Sequence, residues 1–374
     1  MHPTSILSAL ALLPLTVLAA VDSRVNVAWS GDTPVNGVAY TDTGRLFLVY
    51  ARVDGTAATG LPEVVEWING TAVPYPDRQW NSFTAGENVT NKLVKVNAIR
   101  TGPDGNLWIV DTGAPYYGGQ VTMPDGPKIV SVNTTTNQVQ RVYHMGNVTK
   151  YDSLLDDIRF DTARGFAYLT DAGSSTGALI VMDLTTGNAV RLLEGTQSVT
   201  PFMPSSSRGN AMKSAAGVWH YVAADQLELS PDGTTLYYQV SAGGMFRIDT
   251  DVLANSFYNS TLASILDDYV EPYALTPCTG GTAIDADGNI YVSDTDRLLI
   301  EKIYPNGTRT TLVQDDRLLW VDAMWIDSQQ RLWMPASQLD RGQMYFADGE
   351  DRIELPVSVY TIDIGVGPSP IDHA

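Results

Sequence analysis

Apolar and polar positions alternate along this chain in short runs, and the runs come in pairs. Residues 97–113 read NAIRTGPDGNLWIVDTG: an apolar run, a Pro-Asp-Gly turn, then a second apolar run carrying an aromatic. The arrangement returns at 36–50 (NGVAYTDTGRLFLVY), 156–173 (DDIRFDTARGFAYLTDAG), 225–241 (DQLELSPDGTTLYYQVS), 282–295 (TAIDADGNIYVSDT) and 322–337 (DAMWIDSQQRLWMPAS). Successive copies start 40 to 69 residues apart. A period of two is what a half-buried strand requires, and the Asp-Gly and Thr-Gly turns supply the positive φ of a tight hairpin. Further strand-like runs lie between the copies, at Lys128–Val132, Ala178–Asp183, Gly244–Asp249 and Ile300–Tyr304.

Repeats of this length built from short strands predict an all-β fold, a six-bladed β-propeller with the later runs as outer strands. A β-sandwich or two smaller β domains is the competing architecture, and six similarly built repeats weigh against it. Residues 357–364, VSVYTIDI, are expected to close the ring by pairing with 25–29, VNVAW, which removes a free sheet edge. The one predicted helical stretch is 256–269, on an inserted loop.

The first twenty residues, MHPTSILSALALLPLTVLAA, read as a secretory signal peptide over 1–19, cut after Ala19 or Ala20, although His2 is the only basic side chain before the apolar run. Residues 20–374 are then expected to form a single propeller domain. No later run is long and apolar enough for a membrane span, so no membrane partner is expected. Six Asn-x-Ser/Thr sequons, at Asn69, Asn88, Asn133, Asn147, Asn259 and Asn306, fit a secreted glycoprotein. The net charge of −19 would repel a phosphate backbone, so no nucleic-acid partner is expected. Cys278 is the only cysteine, which rules out an intramolecular disulfide and a thiolate metal cage; it reads as a small buried hydrophobe. Nothing in the pattern indicates an oligomeric state.

Candidate chemistry comes first from the repeat itself. Its opening residues are Asn36, Asn97, Asp156, Asp225, Thr282 and Asp322. Innermost strands surround one axis, so equivalent positions form a ring. Three readings stay open for that ring: strand-end caps binding channel water, contacts to a ligand, or an oxygen-rich site for a divalent cation at Asn97, Asp156, Asp225 and Asp322. A second set is aromatic: Trp80, Tyr116, Tyr117 and Trp219 sit in loops or at strand ends and could line a channel mouth for a small apolar or aromatic molecule. Trp108 and Trp333 occupy equivalent strand positions and read as core. His220, in VWHYVA, is the one histidine placed to act as an acid or base; a hydrogen-bonded core role is its bland alternative. The chain has no Gly-x-Ser-x-Gly elbow, no His-x-x-x-His site, no phosphate loop and no dinucleotide fingerprint. No cofactor is expected.

Four stretches carry a family resemblance: LPEVVEWINGTAVPYPDRQWN (61–81), VNAIRTGPDGNLWIVDTG (96–113), ELSPDGTTLYYQVSAGGMFRIDTDVL (228–253) and RLLWVDAMWIDSQQRLWM (317–334). With them the chain resembles the major royal jelly protein/yellow family of secreted six-bladed propellers. It lacks the paired cysteines usual in insect members and is shorter, so it looks like a fungal-type branch. That branch implies a role in secondary metabolism, most specifically a hetero-Diels–Alder coupling of a polyketide-derived tropolone quinone methide to a sesquiterpene such as humulene. Such a reaction needs no nucleophile, only oriented partners and a hydrogen bond to the heterodiene oxygen. His220, Asn97 and Asp225 are the candidate donors, with Asn36, Asp156, Thr282, Asp322 and the loop aromatics as substrate contacts. The resemblance also admits a non-catalytic small-ligand binder, or a metal-dependent hydrolase like the gluconolactonases, whose first-blade Glu is here Asn36.

Overall fold

A computed structural model of the chain describes residues 21–52, 55–116 and 119–371. The proposed signal peptide and Tyr117 lie outside the described residues. Six four-stranded antiparallel sheets form a ring, each a simple meander from axis to rim. The innermost strands are Val35–Tyr40, Val96–Thr101, Leu155–Asp161, Ala224–Leu229, Thr282–Ile284 and Trp325–Ile326, numbered here as blades one to six. Blade six takes its outermost strand from the other end of the chain. Asn26–Gly31 pairs antiparallel with Val357–Asp363, Trp29 opposite Val359 and Gly31 opposite Val357. At the axis the ring is sealed by a parallel bridge between Gly37 and Ala323. The expected closure is therefore present, and it turns a reactive edge into a paired one.

Strand alternation builds the core. In blade two, Leu107 and Ile109 face blade one, while Trp108 and Val110 face blade three. Six hydrophobic clusters result, one per interface between neighbouring blades. The pairing registers place an aromatic at one equivalent position of the second strand in every blade: Phe47, Trp108, Tyr168, Tyr237, Tyr291 and Trp333. Four of these rings donate to a carboxylate in the preceding turn: Trp108 to Asp104 at 3.0 Å, Tyr168 to Asp161 at 2.8 Å, Tyr291 to Asp285 at 2.9 Å and Trp333 to Asp327 at 2.7 Å. A large ring can be buried this way without stranding its polar atom.

The helical insertion of blade four starts earlier than 256. It runs Thr250–Tyr258, then Ser260–Ser264, then a 3₁₀ turn Leu266–Tyr269. Asp249 caps the first helix through the amides of Asp251 and Val252. Asn259 interrupts it and caps the second. Cap chemistry overrode the apolar spacing used to place the start. Asn259 is exposed, as are Asn69, Asn88, Asn147 and Asn306, whereas Asn133 is half-buried. Cys278 is buried and its sulfur accepts from the Ser206 amide at 3.2 Å. Among the described residues no helix is long and apolar enough to cross a membrane.

Candidate functional site

Inner strands start at one face of the ring, and their first residues bend into the axis. Ladder pairing slips at this point in blades one to four, between Val35 and Gly37, Val96 and Ala98, Leu155 and Ile158, and Ala224 and Leu227. Asn36, Asn97, Asp156 and Asp225 are the residues thrown out of register. A bulge frees a side chain from the pleat and re-aims it. Together with Asp322 they line a small axial pocket of about 60 Å³.

Five of the six expected ring residues thus converge; Thr282 does not. Thr282 pairs with Val292, which makes Gly280 the blade-five counterpart of Asn97. The Thr282 hydroxyl instead donates to Glu228 at 2.7 Å, deeper in the channel. At Gly280 a Cβ would meet the Trp320 indole nitrogen at 2.8 Å. Trp320, at a left-handed φ of 50°, fills the space a side chain would take. Beneath this layer the axis is plugged by the buried Arg159–Glu228 pair, bidentate at 3.0 and 2.8 Å, and by Arg100 stacked 5.3 Å from the Trp325 ring.

Within the pocket the Asn36 amide donates to the Asn97 carbonyl at 3.0 Å, and Asn97 donates to Asp156 at 2.6 Å. The buried Asn36 Oδ1 has no hydrogen-bond partner. Asp225 accepts from Gln226, yet burial dominates and pushes its carboxyl up to about 7. It keeps some accessible surface because it faces the pocket. Among the described residues no three His, Cys, Asp or Glu side chains come together closely enough to hold a metal ion.

Above the axial pocket lies a larger cavity of about 370 Å³. Its walls combine aromatic and apolar side chains, among them Tyr116, Tyr151, Trp219 and Tyr345, with a polar side that includes Lys95, Asp152, Ser153, Ser174, Ser175 and Ser214. Leu154, His220 and Val222 line both chambers and form the partition. Two excursions enclose the upper chamber. One links blades three and four and carries the hairpin Ser206–Ser207/Asn210–Ala211; the other joins the second and third strands of blade six. They come from opposite sides of the ring. Ser207 and Arg208 both bind Asp340, and the Ala215 amide donates to the Met344 carbonyl at 2.8 Å.

His220 sits where the excursions meet. Its backbone is held by Met212 and Ser205, its Nδ1 lies 3.2 Å from the Tyr345 hydroxyl, and burial lowers its pKa to about 4. The imidazole is therefore neutral near pH 7. Of the expected loop aromatics, Tyr116 and Trp219 line the upper chamber, with Lys213 4.6 Å above the Trp219 ring. Trp80 does not. It packs half-buried against the core between blades one and two, because the Leu93 amide binds its carbonyl and folds the loop down. Tyr345, Tyr151 and Leu339 were not foreseen. For Leu339 and Tyr345 the one available signal was the unusual separation of the second and third strands of blade six, which marks an excursion without saying where it lands.

The Major royal jelly protein family profile matches residues 96–354. Protein yellow of Drosophila guanche is 30% identical over 129 residues, covering 33% of this chain and 21% of that protein; Protein yellow of Drosophila melanogaster is likewise 30% identical, with 22% of it covered. The chain thus matches only about a fifth of the length of these relatives. Among solved structures, a luciferin-regenerating enzyme superposes with a TM-score of 0.56 at 13% identity, over 93% of this chain and 98% of that one. A putative gluconolactonase gives 0.55 at 11% identity over 93% and 95%, and the calcium-binding protein regucalcin of Agrobacterium tumefaciens gives 0.52 at 11% over 92% and 95%. These similarities establish the shared propeller fold and nothing finer. With a family match spanning more than half its length, the chain belongs to the major royal jelly protein family.

Proposed function

We propose that this propeller is a secreted enzyme of secondary metabolism that binds apolar small molecules in the two-chambered site. Its proposed reaction is a hetero-Diels–Alder cycloaddition. The heterodiene of a tropolone-type quinone methide adds across one alkene of a sesquiterpene such as humulene. One C–C and one C–O bond form, and nothing is lost. The observation that carries the reading is the partition: an aromatic-walled chamber that ends on a neutral, buried imidazole. Walls of that kind orient two apolar partners and exclude water. A hydrogen bond to the oxygen of the heterodiene stabilises the charge that gathers there in the transition state. Incubating the purified chain with a quinone-methide precursor and humulene should speed adduct formation and bias its stereochemistry relative to the uncatalysed mixture. An unchanged rate and isomer ratio would refute it.

One observation favours a second reading. The axial pocket presents three carboxylates and no Lys or Arg, which suits a donor-rich head such as an amine. The chain would then be a binding protein that sequesters a small ligand unchanged. Calorimetry with an aromatic amine, showing tight binding and no turnover, would support it over the cyclase.

A further inference from the structure

We propose that Trp320 completes the axial ring as a hydrogen-bond donor, so that the pocket recognises a hydroxyl head, an alcohol or phenol that accepts from the indole N–H and donates to a ring carboxylate. This goes beyond the reading above, because it concerns the head of the ligand whether that ligand is turned over or only held. Blade five has no ring side chain of its own, since Gly280 stands at the counterpart of Asn97. A Cβ there would lie 2.8 Å from Trp320 Nε1, so the indole nitrogen occupies the place of the absent side chain. Trp320 lies in the connection from blade five to blade six, lines the axial pocket and is only 3% exposed. Its left-handed backbone is held by the Ser337 amide and hydroxyl, which both donate to its carbonyl at 3.1 Å. Among the described residues the indole N–H has no hydrogen-bond partner. A buried donor of that kind calls for a partner, in the form of water or a ligand.

The wall facing it is rich in acceptors. Asp156, Asp225 and Asp322 line the pocket. The neighbouring donors are directed elsewhere: Asn36 donates to the Asn97 carbonyl, Asn97 to Asp156, and the Ser241 hydroxyl to the Thr279 carbonyl at 3.0 Å. The volume of about 60 Å³ is far below the roughly 300 Å³ or more that a whole small-molecule ligand takes. One head group therefore enters, with the remainder of the ligand in the upper chamber. A hydroxyl has one O–H and two lone pairs, so it can satisfy the indole and a carboxylate at once. An ammonium has donors only and leaves the Trp320 N–H unmatched. An ether oxygen accepts from the indole but offers the carboxylates nothing.

Benzyl alcohol, benzylamine and benzyl methyl ether share one aromatic body and differ in the head, and they are the probes. Each is titrated into the purified ¹⁵N-labelled chain, with the indole signal of Trp320 assigned through its neighbours Leu319 and Val321. Benzyl alcohol should move that signal downfield and bind about 3- to 10-fold tighter than either analogue, the worth of one hydrogen bond. Trp320→Phe should weaken benzyl alcohol by a similar factor and abolish its advantage over the amine. An unmoved Trp320 signal at millimolar benzyl alcohol, benzylamine binding as tightly as the alcohol, or an unchanged affinity in Trp320→Phe would overturn the inference. Should Trp320→Phe fail to fold, the wild-type titrations decide alone. If the alcohol behaves as stated while wild type catalyses no cycloaddition, the cyclase reading fails and the role of Trp320 stands.

Discussion

Asp225 is a carboxyl of the axial pocket whose burial works against its charge. Burial raises its carboxyl from the ordinary 3.8 to about 7. An acid whose folded pKa is raised contributes stability that is present below its unfolded pKa and lost as pH rises through the folded value. Asp225→Asn should therefore gain relative to wild type between pH 5 and pH 8, on the order of 2 kcal/mol, after a discount for water in the pocket. Denaturant unfolding at both pH values measures this; a constant difference would show that the carboxyl is not held neutral. Gly280 makes a steric case. A methyl there would meet the Val321 carbonyl at 2.7 Å as well as the Trp320 indole. Gly280→Ala should cost about 1 to 3 kcal/mol by overpacking, and an intrinsic-fluorescence change should report the displaced Trp320.

At the scale of elements, two closures matter. The first is the pairing of Asn26–Gly31 with Val357–Asp363. A chain starting at Thr33 would expose that edge, so its Tm should fall and light scattering should report association. An unaltered association state with the wild-type Tm would show that the closing strand is dispensable. The second is the junction of excursions at Asp340. Asp340→Ala removes the acceptor of Ser207 and Arg208 and should raise KM for a ligand of the upper chamber several-fold, and an unchanged KM would show that the junction does not shape that chamber.

The elements also show what was legible in the sequence. Six blades, the closing strand and the aromatic of each second strand were readable because a period of two and Gly-containing turns are local signals. Five ring residues were readable for the same reason. Thr282 was misplaced because Thr-Pro-Cys-Thr-Gly-Gly carries no polar residue at the true ring position, so the pattern seemed to start two residues late. Trp80 and Tyr345 mark the other boundary. Whether a loop aromatic turns inward or crosses the axis depends on contacts beyond its own neighbours, with Leu93 farther along the same loop for Trp80 and with His220 in another loop for Tyr345. No local pattern encodes those.

The whole molecule is a closed ring of six blades, with the excursion between blades three and four and the one within blade six lying over the face where the inner strands start. Its core is six apolar interfaces with no disulfide, and the plug of Arg159, Glu228, Arg100 and Trp325 closes the axis below the site. A ligand of the proposed site would enter through the upper chamber, past Trp219 and Tyr116. The most direct test of the proposed function is the isomer ratio of the quinone-methide–humulene adduct formed by wild type, by His220→Phe and without protein. Wild type should yield a stereochemically biased adduct, and His220→Phe, still folded, should return the ratio to that of the uncatalysed reaction. A wild-type ratio equal to the uncatalysed one, or a bias that survives in His220→Phe, would contradict the account.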